Sequence, residues 1–107
     1  MAMPKYALST SYRFHCDPGH GWLQVDWSDL KNLGLNPTDF SRYSYRRGNQ
    51  FYLEEDCDAP KFVAAYETAV GARPAFEEIH TNNNSFIRRL PPIHNLTTAE
   101  LLGLKAK

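Results

Sequence analysis

The sequence predicts an α+β fold, an antiparallel sheet of hairpins with one main helix packed on a face. Three observations carry that expectation. Tyr12, Phe14 and Cys16 alternate with Arg13 and His15, the period of two expected of a half-buried strand. Gly48-Asn49 separates two short aromatic runs at the spacing of a two-residue hairpin loop. Phe62, Val63, Tyr66, Ala69 and Val70 recur at helical spacing between Pro60, which suits a first turn, and Gly71, which suits a stop. Hairpins with helices interspersed argue against a doubly wound parallel sheet.

Residues 1–10 lack periodicity and contain Met3-Pro4, which predicts a partly ordered arm ahead of one compact domain over 11–107. The first strand ends at Asp17-Pro18-Gly19, where proline presets one turn dihedral and glycine can take the positive one after it. Its hairpin partner is Gly21 to Asp26, with Leu23 and Val25 facing one way and Trp22 and Gln24 the other. Asp26 or Ser28 can cap a short helix near 28–33, in which Leu30 and Leu33 share a face before Gly34. Asn36-Pro37-Thr38-Asp39 is a turn or helix start.

Counting outward from Gly48-Asn49 pairs Arg47 with Gln50, Arg46 with Phe51, Tyr45 with Tyr52 and Tyr43 with Glu54. Phe51 and Leu53 then share a face with Ser44 and Arg46, and Tyr43, Tyr45, Arg47, Tyr52 and Glu54 share the other. Asp58 is the expected N-cap of the main helix, about 60–70, whose stripe packs on Phe51 and Leu53. Asn82-Asn83-Asn84 is expected to join strands 76–81 and 85–90 in a third hairpin that Pro91-Pro92 terminates. Thr97 and Glu100 have capping-box spacing, with Leu96 able to staple to Leu101, which predicts a short helix near 98–103.

A chain of 107 residues, 42% hydrophobic and 13% aromatic, supports one core and is too short for two ordinary domains. Lys plus Arg and Asp plus Glu both number 12, so no global field draws the chain to nucleic acid or an anionic membrane. No apolar run approaches the roughly 18 residues of a membrane span, and none follows the N-terminal lysine, so a cytoplasmic location is expected. Cys16 and Cys57 are too few for a disulfide scaffold and are expected to be reduced thiols.

His15, Cys16, Asp17 and His20 surround one tight turn, but no C-x-x-C or H-E-x-x-H pair is present. Strand alternation also sends His15 and Cys16 to opposite faces, so no metal and no cofactor are expected there. Glu54, Glu55, Asp56 and Asp58 lack the spacing of a calcium loop. They can favour the dipole of the following helix and pair with arginines across the hairpin. Cys57 with His20 or His80 is the one nucleophilic pair worth naming, and the neighbouring acids make Cys57 a poorer thiolate.

The tyrosine face carries more promise. Tyr43, Tyr45 and Tyr52 beside Arg47 suit a protein interface or stacked single-stranded bases, unless another element, such as the first hairpin with Trp22 or Trp27, covers them as a second core. Arg46, Arg47, Arg88 and Arg89 could converge on nucleic acid, which the adjoining acidic block disfavours.

The segments GHGWLQV (19–25), YSYRRGNQFYLEEDCDAPKF (43–62) and HTNNNSFIRRL (80–90) together resemble a family of small proteins of unassigned activity carried by bacteriophage, prophage and plasmid genomes. The shared pattern is GHGWL followed by YSYxxGxxxYLEEDCDA. The resemblance implies a small accessory protein of a mobile element or its bacterial host, and it brings no catalytic residues. Its matching positions are His20, Trp22, Tyr45, Gly48, Tyr52, Leu53, Glu54, Glu55 and Asp56.

The expected function is therefore stoichiometric binding to another macromolecule, with a host or mobile-element protein favoured. The expected contact residues are Tyr43, Tyr45, Arg47, Tyr52, Glu54, Glu55 and Asp56, and the oligomeric state is left open. The alternative is a small metal-assisted or thiol enzyme using His20, the Glu54–Asp58 acids and Cys57. A third reading is nucleic-acid binding through the four arginines.

Overall fold

The structure, a computed structural model, describes residues 8–94. It is an α+β fold in which a five-stranded mixed sheet carries one main helix. The strands are β1 (Ser11–Cys16), β2 (Gly21–Asp26), β3 (Tyr45–Arg47), β4 (Gln50–Glu54) and β5 (Ala75–His80). The helices are α1 (Trp27–Asn32) and α2 (Ala59–Val70), and 3-10 turns occupy Pro37–Asp39 and Phe86–Arg89. The strand order is β3-β4-β2-β1-β5. No helix among the described residues is long and apolar enough to cross a membrane.

The β3–β4 hairpin has the register counted from its turn: Tyr45 opposes Tyr52, Arg46 opposes Phe51, and Arg47 opposes Gln50. Gly48 takes φ of 59°, the left-handed value such a loop needs. The expected Tyr43–Glu54 pair does not form. β3 begins only at Tyr45, and Glu54 opposes Trp22 of β2 instead. Ser44 is diverted to Asp58, whose side chain accepts from Ser41 N at 3.0 Å, Ser41 Oγ at 2.7 Å and Ser44 Oγ. Asp58 therefore holds the N-cap position of α2 without capping it through its side chain. Asp26 likewise precedes α1 without a side-chain cap, and its carboxylate accepts from the Gln50 amide.

One face of the sheet packs against α2. Leu23, Val25, Phe51 and Leu53 meet Phe62 and Tyr66, and Tyr12 lies edge-on to Phe62 with centroids 5.1 Å apart. Leu8, Trp27, Leu30, Phe40 and Ile93 complete this core. Gly71, at φ of 82°, ends α2 as expected, its N–H donating to Glu67 O. On the opposite face Trp22, Tyr52 and Ile87 form a second core with Tyr45 and Leu90 packed against it.

Two expectations fail together. β5 pairs with β1 in parallel, Cys16 opposite His80, so the sheet is mixed and the third hairpin is absent. Residues 86–89 form a 3-10 turn instead of a strand, capped by Ser85 Oγ accepting from Ile87 N. The cause is Asp17. Its carboxylate draws in Ser85 N at 2.9 Å and the Arg88 guanidinium, which carries Ile87 beneath the sheet. From there the chain wraps the β3 edge: Pro91 O accepts from Arg46 N, Pro92 bridges Tyr45, and Ile93 N donates to Ser44 O. Among the described residues, β5 pairs only with β1, and its outer edge stays open.

Gly19 departs from its expected role, because its φ is not positive. A Cβ there would lie 2.9 Å from Arg88 Nη2, so glycine leaves room for the guanidinium at Asp17. The expected helix near 98–103 and most of the expected N-terminal arm lie outside the described residues.

Candidate functional site

Antiparallel pairing of β2 with β4 puts Trp22 beside Glu54 on the face away from α2, and the β3–β4 register adds Tyr45 to it. The loop into β3 brings Tyr43, whose carbonyl accepts from Trp22 Nε1 at 3.3 Å. The Glu54 carboxylate accepts from Cys57 N at 2.8 Å, folding the Glu55–Cys57 turn back over the strand end. His20, Trp22, Tyr43, Tyr45, Glu54, Asp56, Cys57 and Arg88 thereby line a pocket of about 280 Å³.

The rings are arranged edge to face. Trp22 and Tyr45 have centroids 6.2 Å apart at 67°, and His20 tilts against Trp22 at 5.9 Å. Arg88 lies over the Trp22 ring at 5.4 Å, and its charge is already matched by Asp17, with Nε–Oδ2 at 2.6 Å and Nη2–Oδ1 at 2.8 Å. Glu54 and Asp56 line the pocket, and the arginine of the wall, Arg88, is already held by Asp17. The result is an aromatic recess with a negative bias.

Of the expected contact residues, Tyr43, Tyr45, Glu54 and Asp56 gather here. Tyr52, Arg47 and Glu55 do not. Tyr52 has 0% exposure and serves as scaffold, its ring meeting His15 and Phe86. The second-core alternative thus holds for Tyr52, although Trp22 shares that core with the Phe86–Arg89 segment instead of covering it alone. Arg47 stacks on Phe86 at 5.0 Å. Glu55 lines a different groove, about 540 Å³, between α2 and β5. Trp22, a matching position of the motif, and Arg88, one of the arginines of the nucleic-acid reading, join the expected contact residues here. Trp22 needed the β2–β4 register to place it, and Arg88 needed its tie to Asp17.

Of the groups of the enzyme alternative, His20, Cys57, Glu54 and Asp56 line the same pocket, whereas Glu55 lines the other groove and Asp58 is buried against Ser41 and Ser44. Yet local desolvation, and then the charges of Glu54, Asp58 and Asp56, push the Cys57 thiol above its ordinary pKa. These groups also do not bring three ligand atoms within 4.8 Å of one another, so the pocket is a poor metal cradle. Cys16 and Cys57 are both free thiols. Of the four arginines, Arg88 is committed to Asp17, Arg46 is half-buried, Arg47 lies on Phe86, and Arg89 is exposed.

The geometry defines a class, a small mixed-sheet α+β protein with an aromatic, acid-lined recess at one end of its sheet. No protein-family model matches the chain, and neither does any curated protein or solved structure.

Proposed function

We propose that the chain is a stoichiometric protein-binding module whose pocket between Trp22, Tyr43 and Tyr45 takes a lysine or arginine side chain of a partner. The observation that carries this reading is the convergence of three aromatic rings and two carboxylates, from separate segments, on one recess of about 280 Å³. Aromatic faces attract cations, and carboxylates at the rim add charge complementarity. Tyr43, 54% exposed, is the most accessible of the three rings, and Arg42 already lies over it at 5.4 Å, the kind of contact an incoming cation would make. An accessory role for a mobile element or its host rests on the motif resemblance and belongs to the same proposal.

The enzyme alternative has weaker support, because the raised pKa of Cys57 reduces the thiolate that nucleophilic chemistry needs. The test is an array of lysine- and arginine-bearing peptides, each with a norleucine counterpart, probed with the wild type, Tyr45→Ala and Asp56→Lys. Binding should require the cation and be lost in both variants while near-ultraviolet circular dichroism stays native. Binding indifferent to both substitutions would refute the assignment.

A further inference from the structure

The parallel pairing of β1 with β5 creates a second constellation, on the other face of the sheet. Cys16 and His80 stand directly opposite each other, and Glu78 projects from the same side of β5 one pleat earlier. Cys16 Sγ, a Glu78 carboxylate oxygen and a His80 ring nitrogen all lie within 4.8 Å of one another. His80 Nε2 and Glu78 Oε1 are 3.5 Å apart.

Tetrahedral zinc, with bonds of about 2.0–2.3 Å, separates its donor atoms by roughly 3.5 Å. Closing the set therefore needs only side-chain rotation, and Glu78 and His80 are both exposed enough to turn freely, with side chains 64% and 68% accessible. A further carboxylate is at hand. Glu55 Oε2 lies over Gly21, the cross-strand neighbour of Cys16, 3.2 Å from where a Cβ at position 21 would stand.

Charge gives the cluster a reason to take a cation. Glu78 and Glu55 both place carboxylates beside Cys16, and neither has an arginine partner among the described residues. A thiolate, an imidazole and a carboxylate form a mixed S, N and O donor set, which suits zinc or cobalt and not the all-oxygen shells of calcium or magnesium.

We propose that Cys16, Glu78 and His80 bind one zinc-class divalent ion, with Glu55 within reach of the fourth position. On binding, the Sγ–H bond breaks, the proton leaves to solvent, and the sulfur lone pair forms the metal–sulfur bond without any change of oxidation state. The site is independent of the aromatic pocket. Glu55 and Glu78 also line the 540 Å³ groove, and a bound ion would cross-link β5 to the strand that holds it.

The test is titration of the reduced full chain with cobalt(II). One equivalent should produce a thiolate-to-cobalt charge-transfer band with tetrahedral d–d absorption, and zinc should displace it. Both features should be lost in Cys16→Ser and in His80→Ala and retained in Cys57→Ser. His80 is a surface residue, so its variant reads out the site even if position 16 proves sensitive. Absence of the band with cobalt in excess overturns the proposal. So does its survival in His80→Ala or its loss in Cys57→Ser.

Discussion

Asp17 and Arg88, 71 positions apart, form a bidentate pair in which Nε donates to Oδ2 at 2.6 Å and Nη2 to Oδ1 at 2.8 Å. The same carboxylate accepts from the N–H groups of Gly19, His20 and Ser85, so one side chain closes the β1–β2 turn and docks the Phe86–Arg89 turn. Asp17→Ala leaves all of those donors without their acceptor. It should destabilise the protein by roughly 3 kcal/mol in urea melts, because breaking a buried pair costs more than the pair contributed. A loss below about 1 kcal/mol would mean that solvent replaces the carboxylate easily.

The same site sets a pH dependence. Arg88 above all, with the three backbone donors, holds the Asp17 carboxyl well below the usual carboxylate range, against the opposing effect of burial. Because the folded value lies below the unfolded one near 3.9, the stabilisation is complete above that pH and drains away as pH falls toward the folded value. The stability gap between wild type and Asp17→Asn should be flat from about pH 5 to 8 and shrink below about pH 4. A gap that persists unchanged to about pH 2 would contradict this coupling.

Asp58 is wholly buried and ties Ser41 and Ser44 to the start of α2, while Ser44 Oγ also accepts from Glu54 N at 2.9 Å. Asp58→Ala should cost roughly 2–3 kcal/mol and loosen the loop that presents Tyr43. Hydrogen exchange should therefore accelerate at Ser41, Tyr43 and Glu54 before it does in β2. Uniform exchange across the sheet would show that Asp58 acts globally instead.

Cys57 is exposed, yet its thiol is held above the ordinary pKa, so at any pH below that value less thiolate is present than in a free cysteine. Alkylation at pH 8, followed by peptide mapping, should be slower at Cys57 in the folded chain than in urea. The difference should narrow as pH rises. Equal rates at pH 8 would remove the carboxylates' influence.

Gly21 faces Phe14 so closely that a Cβ would lie 2.7 Å from two of its ring carbons. Gly21→Ala should cost about 1–3 kcal/mol through overpacking, measurable as a lower urea midpoint with an unchanged slope.

Local chemistry made much of this architecture legible. Pro60, the apolar stripe and Gly71 bounded α2 to within a residue, and Gly48-Asn49 set the β3–β4 register, since both signals act between neighbours in the chain. β5 was placed as a strand and given the wrong neighbour. A run that ends at Asn82-Asn83-Asn84 marks an extended segment and says nothing about which strand it joins. The misread Phe86–Arg89 turn has the same origin: its conformation answers to Asp17, far away in sequence. The pocket was half legible. Tyr45 and Glu54 follow from a hairpin that can be counted, whereas Trp22 enters through β2–β4 pairing that no local motif encodes.

The wrapping of Pro91 and Pro92 around β3, with the outer side of β5 left open among the described residues, gives the sheet one blocked margin and one free one. A sheet open at both margins can add copies of itself without limit, as a fibre does. Here two copies joined β5 to β5 would each present only a blocked margin outward. Self-association by strand addition would stop at two.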